Sequence, residues 1–180
     1  NAGLVQAHIG PVETAIIDRM GLSEEQTHQT KEWIRQQVPL KRFDLMNGIQ
    51  VRGTYAVSQA CIPHMKGREN PHILTLSPPI RLESQWLTPT PYMMAKFGMT
   101  LCASGIAQAM RAEGIASNTL WPRTMVATAA VQNLLGGDEA MGRARKPAVY
   151  ADAAYAVLNK PSREYTGNAL LCEALRGRAI

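Results

Sequence analysis

An α/β fold with a doubly wound parallel sheet is predicted by three short apolar runs and by the helical patterns between them. The runs cover residues 72–77, 115–121 and 168–172. Each is bounded by proline or glycine, as buried parallel strands tend to be. Helical periodicity fills the segments 43–65 and 91–113. Because helices and strands alternate, we expect ligands to collect at the carboxyl ends of parallel strands.

Local signals place the ends of two helices. Pro91 suits the first turn of the helix over 91–113, where a missing N–H costs little, and Thr90 is a candidate cap for it. The segment 22–37 is typical of an exposed helix, with Ser23 as its cap and Gln26 completing a capping box. Residues 4–9 form a candidate further strand.

Composition excludes several functional classes. The 180 residues are 46% apolar, which suffices for one domain with a core, and the formal charge of 19 − 14 = +5 is scattered. Aromatic residues make up only 6%, too few for a platform that stacks nucleic-acid bases. No apolar run approaches the roughly 20 residues that span a bilayer. We therefore expect neither a nucleic-acid partner nor a membrane span.

The cysteines and histidines predict no metal site. Cys61, Cys102 and Cys172 lie far apart without a C-x-x-C pair, and the four histidines share no ligand spacing. An odd number of cysteines without a secretory leader favours the reducing cytoplasm.

Tyr92 and Lys96 form the sharpest chemical feature of the sequence. At positions i and i+4 they share one helix face, in register with Met99, Ala103 and Ile106, so the pair points inward. A free tyrosine has a pKa of about 10, and a nearby ammonium lowers that pKa by stabilising the phenolate. The pair can then exchange a proton with a carbonyl or alcohol oxygen. Alone, Y-x-x-x-K is a weak signal, because it also occurs as an ordinary surface pair.

The stretches around this pair resemble the short-chain dehydrogenase/reductase family. A strand ending at Ser77 precedes the Y-x-x-x-K helix, and another strand leads into Pro122. Six stretches are similar in sequence to the family's hydroxysteroid-dehydrogenase-like branch. They are KRFDLMN, RGTYAVSQACIPHM, HILTLSPP, YMMAKFGM, NTLWPRT and ADAAYAVL. The resemblance covers residues 43–180. It implies a Rossmann-like fold, NAD or NADP as cofactor, and interconversion of a carbonyl and a secondary alcohol on a small apolar molecule.

The resemblance also implies residue roles. Tyr92 is the expected general acid/base, Lys96 is expected to hold the nicotinamide ribose, and Ser77 is expected to bind the substrate oxygen. Gln50 stands where the family has a lysine-supporting asparagine and is one methylene longer. The cofactor contacts implied besides Tyr92 and Lys96 are Asn1, Ala2, Gly3, Pro122, Thr124, Val126 and Thr128.

Other features depart from the family pattern. Pro78 replaces the second serine of a common doublet, and Arg123 replaces the glycine of a Pro-Gly turn. None of the 14 glycines falls in the T-G-x-x-x-G-x-G pattern that binds pyrophosphate. The resemblance therefore implies an incomplete fold without the first βαβ units and the glycine-rich loop.

The N-terminal segment suggests a truncated or chimeric chain. Residues 4–43 resemble the C-terminal substrate loop of another short-chain dehydrogenase, and an unusual natural insertion is the alternative. We expect a single partial domain over 1–180, with an atypical segment over 1–42 and a catalytic half over 43–180.

The shortened sheet has consequences for assembly and function. The strand over 72–77 would have a bare apolar edge, which residues 4–9 or an identical partner would cover, unless the chain aggregates. Members of the family dimerise through the two long helices, so we expect a homodimer or homotetramer. Two functions stay open: an active oxidoreductase, or a catalytically silent remnant that serves as a dimerisation or binding module.

Overall fold

The chain divides into two compact units, residues 1–47 and residues 48–180. The structure is a computed structural model that describes residues 19–35, 39–83, 86–87, 89–134 and 136–175. The predicted single partial domain with an atypical segment over 1–42 stays a prediction. The candidate strand over 4–9 lies outside the described residues.

The first unit contains helices α1 (Glu24–Arg35) and α2 (Leu40–Asn47). The amide of Ser23 donates to Oε1 of Gln26 at 3.0 Å, and the amide of Gln26 donates to Oγ of Ser23 at 3.2 Å. These two bonds satisfy donors that a helix start leaves free. The predicted capping box is therefore confirmed.

The second unit contains a parallel three-stranded sheet in the order β1 (His72–Thr75), β2 (Ala116–Trp121) and β3 (Ala169–Leu171). His72 lies opposite Ala116, and Trp121 lies opposite Leu171. The predicted α/β class with parallel strands is confirmed, although each predicted run is longer than its strand. Ser77 consequently lies beyond the end of β1.

Helices surround this sheet and a π-helical turn precedes the first of them. The helical elements are the π-helical turn Gly48–Arg52, α3 (Gly53–Met65), α4 (Thr90–Ala109), α5 (Ala129–Leu134), α6 (Gly137–Arg143), α7 (Ala148–Leu158) and the 3-10 turn Cys172–Leu175. The helical pattern predicted over 43–65 is confirmed, with a π-helical turn at Gly48–Arg52 between two α-helical stretches. In the described part of the chain, no helix has the length and apolar character needed to cross a membrane.

The start of α4 confirms one local prediction and corrects another. Pro91 lies in the first turn, as predicted. Thr90 is not the cap, because the helix already begins at Thr90 and its hydroxyl donates to the carbonyl of Leu87 at 3.0 Å. Pro89 occupies the N-cap position and makes no side-chain capping bond.

The central strand β2 anchors α4 to the sheet. Two of its three buried polar side chains are paired, while Oγ1 of the third, Thr119, has no partner among the described residues. Ser117 Oγ donates to the carbonyl of Ala103 at 2.9 Å. Asn118 Nδ2 donates to the carbonyl of Tyr165 at 2.8 Å, while its Oδ1 accepts from the amide of Asn168 at 2.9 Å. Paired in this way, buried polar groups avoid the cost of desolvation without a partner. The Ser117 bond ties α4, which carries Tyr92 and Lys96, to the middle strand of the sheet.

Candidate active site

Tyr92 and Lys96 lie one turn apart on α4, and both side chains are half-buried. The Lys96 ammonium is 5.8 Å from the centroid of the Tyr92 ring. The shared inward face that the spacing predicted is therefore present in the structure.

Lys96 is held in place by groups from both neighbouring strand ends. Its Nζ donates to the carbonyl of Leu76 at 3.1 Å, just beyond β1, and lies 3.7 Å from Sδ of Met99. On the side of β2 it lies 5.2 Å from the centroid of the Trp121 ring. The ammonium is thus at the carboxyl edge of the sheet, where α/β proteins bind ligands. Burial lowers the pKa of Lys96 because it disfavours the charged form.

Burial raises the pKa of Tyr92 above its usual value of 10.0. This corrects the lowered tyrosine pKa expected from the sequence. The ammonium of Lys96 lies over the ring and donates to Leu76, so desolvation of the phenol dominates. In the structure as it stands, Tyr92 is a protonated acid at neutral pH.

Gln50 belongs to the π-helical turn Gly48–Arg52. Its Oε1 is buried without a hydrogen-bond partner among the described residues, which is a costly state for an acceptor. The turn approaches α4 at Gly98, where an added Cβ would lie 2.6 Å from Cγ2 of Val51. Single π-helical turns occur frequently at functional sites. The unpaired oxygen of Gln50 is available to a water or a ligand donor.

Ser77 is fully buried, with 0% of its surface exposed. Its Oγ lies 2.8 Å from Oγ1 of Thr100, which is also 2.7 Å from the carbonyl oxygen of Pro78. The structure therefore pairs the Ser77 hydroxyl with α4. The role that the resemblance gives Ser77, binding of the substrate oxygen, stays a prediction.

The loop after β2 has a defined backbone arrangement. Val126 pairs with Arg145 in a parallel bridge, in which the amide of Arg145 donates to the carbonyl of Met125 at 2.9 Å and the amide of Ala127 donates to the carbonyl of Arg145 at 2.8 Å. Neither the amide nor the carbonyl of Val126 takes part in this bridge, so both face the other way. The half-buried Pro122 leads into this loop.

Two threonines of the same loop have partners within the chain. Thr124 Oγ1 accepts from Nε of Arg145 at 3.1 Å. Thr128 Oγ1 accepts from the amide of Val131 at 3.4 Å, at the start of α5. Asn1, Ala2 and Gly3 lie outside the described residues.

Three residues near the site had no role in the sequence analysis. Tyr150 on α7 has its pKa raised mainly by burial, with smaller contributions from the charges of Cys172, Tyr92 and Glu173. Glu173 accepts the backbone amide of Arg123 through both carboxylate oxygens, at 3.1 and 3.0 Å. Trp121 contacts Lys96. No spacing rule links these residues to Y-x-x-x-K. The signal for Trp121 is its position directly before Pro122, within the stretch NTLWPRT that resembles the family.

Parallel strands covered by helices, with a tyrosine–lysine pair at the carboxyl edge, place the chain in the class of Rossmann-type α/β proteins. A family model described as enoyl-(acyl carrier protein) reductase matches residues 10–172. Hydroxysteroid dehydrogenase-like protein 2 of Danio rerio is 46% identical over 138 residues, covering 76% of this chain and 32% of that protein. The chain belongs to the short-chain dehydrogenase/reductase family, as the resemblance implied.

Solved structures agree with this assignment. A short-chain dehydrogenase from Mycobacterium thermoresistibile is 81% identical, with a TM-score of 0.71, and the match covers 79% of this chain and 51% of that chain. Angucycline C-6 ketoreductase LanV, solved with bound NADP, is 18% identical with a TM-score of 0.59; the match covers 75% of this chain and 54% of that chain, and it shows the fold alone. This chain thus spans about a third of the curated relative and about half of these solved structures.

Proposed function

We propose that this chain carries the catalytic half of an NAD(P)-dependent oxidoreductase that interconverts a carbonyl and a secondary alcohol on an apolar substrate. The observation that carries the proposal is the half-buried pair of Tyr92 and Lys96 at the carboxyl edge of the sheet. A phenol and an ammonium beside the strand ends can move and stabilise a proton at a substrate oxygen.

The surroundings of the pair fit the nicotinamide end of NAD or NADP. The Lys96 ammonium suits the ribose hydroxyls. The amide and carbonyl of Val126, which have no backbone partner among the described residues, offer the donor and acceptor that a carboxamide needs. The buried, unpaired Oε1 of Gln50 would accept from an ordered water. When bound, nicotinamide supplies or accepts a hydride.

The remaining contacts are proposed from the family resemblance. They are Asn1, Ala2, Gly3, Pro122, Thr124 and Thr128.

Tyr92 acts on the proton. Because burial raises its pKa, the phenol is protonated at neutral pH and donates its proton to the carbonyl oxygen during reduction. Lys96 then stabilises the phenolate that is left, as a nearby positive charge does. Its attachment to Leu76 and Trp121 keeps it within reach of Tyr92.

The test is a titration of the folded chain with NADH and NADPH, followed by an assay of ketone reduction. We expect a change in cofactor fluorescence on binding, and we expect Tyr92→Phe to reduce turnover by about 10²–10⁴-fold. Tyr155→Phe is the matched control, because Tyr155 is a tyrosine exposed on α7. Unchanged fluorescence at millimolar cofactor would remove the oxidoreductase proposal for this chain.

A second candidate is a catalytically silent module that acts through self-association. Exposed apolar side chains on α3 and α4, including Tyr55 and Leu101, line a surface groove of about 560 Å³ together with Val51 and Ile106. Apolar patches of this kind mark interaction surfaces. We propose a homodimer or homotetramer formed through these two helices, in either functional case.

Sedimentation at micromolar concentration tests the assembly. We expect Leu101→Glu to shift the chain to a monomer, whereas Tyr155→Glu, on the exposed side of α7, leaves the oligomer intact. A wild-type monomer would contradict the proposal.

The cytoplasmic location stays a prediction from the cysteines, whose thiols are free in the structure.

A further inference from the structure

A cavity of about 570 Å³ lies at the carboxyl ends of all three strands. Its lining includes Arg81 from the loop after β1, Arg123 from the loop after β2, Leu171 at the end of β3, and Trp86. Trp86 thus forms one wall of this cavity. Parallel α/β sheets bind their ligands at this edge.

The Arg81 guanidinium is oriented but weakly neutralised. It lies over the Trp86 ring, 5.6 Å from the centroid, in a cation–π contact. Its carboxylate partner, Glu83, lies 3.6 Å away, and both side chains are about half exposed. Such a surface pair contributes little free energy, so a ligand anion can replace Glu83.

The charge of Arg123 is available for a ligand as well. The carboxylate of Glu173 accepts the backbone amide of Arg123, and this bond fixes the loop. Among the described residues, no carboxylate oxygen lies within 4.0 Å of the Arg123 guanidinium. Two guanidinium groups thus line a cavity that also contains an aromatic ring and a leucine.

The cavity adjoins the proposed reaction centre. Trp121, whose ring centroid lies 5.2 Å from the Lys96 ammonium, precedes the cavity-lining Arg123 by two residues. Arg81 follows Ser77 by four residues in the loop that leaves β1. One substrate can therefore reach Tyr92 with its carbonyl and the arginines with another group.

We infer that the substrate, apolar over most of its length, also carries an anionic oxygen group, a carboxylate or a phosphate, which Arg81 and Arg123 bind, while Trp86 and Leu171 contact the apolar part next to it. This inference rests on the proposed function for its link to Tyr92. Arginine binds carboxylates and phosphates alike through paired N–H donors, so the same two side chains can hold either anion.

Calorimetric titration of the chain with three eight-carbon probes tests the inference. The probes are octanoate, octyl phosphate and octanamide, in a buffer free of phosphate and sulfate. We expect at least one anionic probe to bind about tenfold or more tighter than octanamide, because charge-assisted hydrogen bonds are the stronger ones. The tighter of the two anions identifies the source. Equal affinity for octanamide and both anions would overturn the inference.

Charge-matched variants locate the site. We expect Arg123→Gln and Arg81→Gln each to weaken the anionic probe by about fivefold or more. Arg123→Lys should lose less, because it keeps the charge but not the planar fork. Arg143→Gln is the control, since Arg143 is exposed and pairs with Glu139 on α6. An equal loss in Arg143→Gln would show a general charge effect and overturn the inference.

Cofactor titration separates this inference from the proposed function. NADH binding in wild type and in Arg123→Gln reports the cofactor site alone. If NADH binds and the anionic probes show no preference, the anion site fails and the oxidoreductase proposal stands. If the probes bind in an arginine-dependent way while NADH does not, the anion site stands and the oxidoreductase proposal fails.

Discussion

The hydroxyl of Thr100 in α4 links Ser77 to Pro78. Its Oγ1 lies 2.8 Å from Oγ of Ser77 and 2.7 Å from the carbonyl oxygen of Pro78. A threonine hydroxyl has one hydrogen, and a carbonyl can only accept. Thr100 therefore donates to Pro78, and Ser77 donates to Thr100. The proton that Ser77 would offer to a substrate oxygen is already used inside the protein.

Ser77→Ala separates the structural role of this serine from a catalytic one. Loss of a buried hydrogen bond should lower the free energy of unfolding by about 1–2 kcal/mol, as measured by urea denaturation. We expect kcat/KM for ketone reduction to fall less than about tenfold, far less than in Tyr92→Phe. A fall of more than about 100-fold with unchanged stability would show that the Ser77 hydroxyl reaches the substrate.

The pKa of Tyr92 gives a prediction for the ligand-free chain. Because burial raises this pKa, the difference in absorbance at 295 nm between wild type and Tyr92→Phe should titrate above pH 10. The folded state then holds the phenol proton longer than the unfolded state, so stability falls as pH rises past 10. A difference midpoint below pH 9 would show that the Lys96 charge outweighs burial.

Local patterns were predictable from the sequence. The capping box at Ser23 and Gln26 formed because both residues lie within one turn and satisfy each other's donors. The strand runs were visible because proline or glycine bounds each of them. Tyr92 and Lys96 share a face because four residues make about one turn.

Features that depend on tertiary packing were not predictable. Ser77 and Thr100 are 23 positions apart, and no local rule pairs them. The direction of the Tyr92 pKa shift depends on how deeply the phenol is buried and on where Lys96 points. The helical periodicity of the sequence continues through Gly48–Arg52, so it gives no sign that a π-helical turn replaces α-helix there.

Trp121 is expected to position Lys96 through its aromatic face. The ammonium lies 5.2 Å from the ring centroid, and such contacts are worth about 0.5–2 kcal/mol. Trp121→Leu should weaken NADH binding by about three- to tenfold, whereas Trp121→Phe, which keeps a ring, should stay within about threefold. The measurement is a fluorescence titration of each variant.

A background without the lysine shows whether this effect passes through Lys96. In Lys96→Met, the further change Trp121→Leu should leave NADH affinity unchanged, because the ammonium that the ring attracts is gone. An unaltered loss in that background would mean that Trp121 acts on the cofactor independently of Lys96.

Gly98 sets the distance between α4 and the turn that carries Gln50. An added Cβ would lie 2.6 Å from Cγ2 of Val51 and 3.3 Å from its Cγ1, so the turn or the helix must shift. Gly98→Ala should lower the free energy of unfolding by about 1–3 kcal/mol, the usual cost of overpacking. Chemical denaturation measures the change.

Val51→Ala supplies the compensating change, because it removes both methyl groups that the new Cβ would meet. In the double variant the overpacking should be relieved, so that the loss is smaller than the sum of the two single losses by about 1 kcal/mol or more. NADH affinity should follow the same pattern, since displacement of the turn moves Gln50 relative to Lys96. Additive losses would show that Gly98 and Val51 do not control this contact, and that the placement of Gln50 depends on other residues.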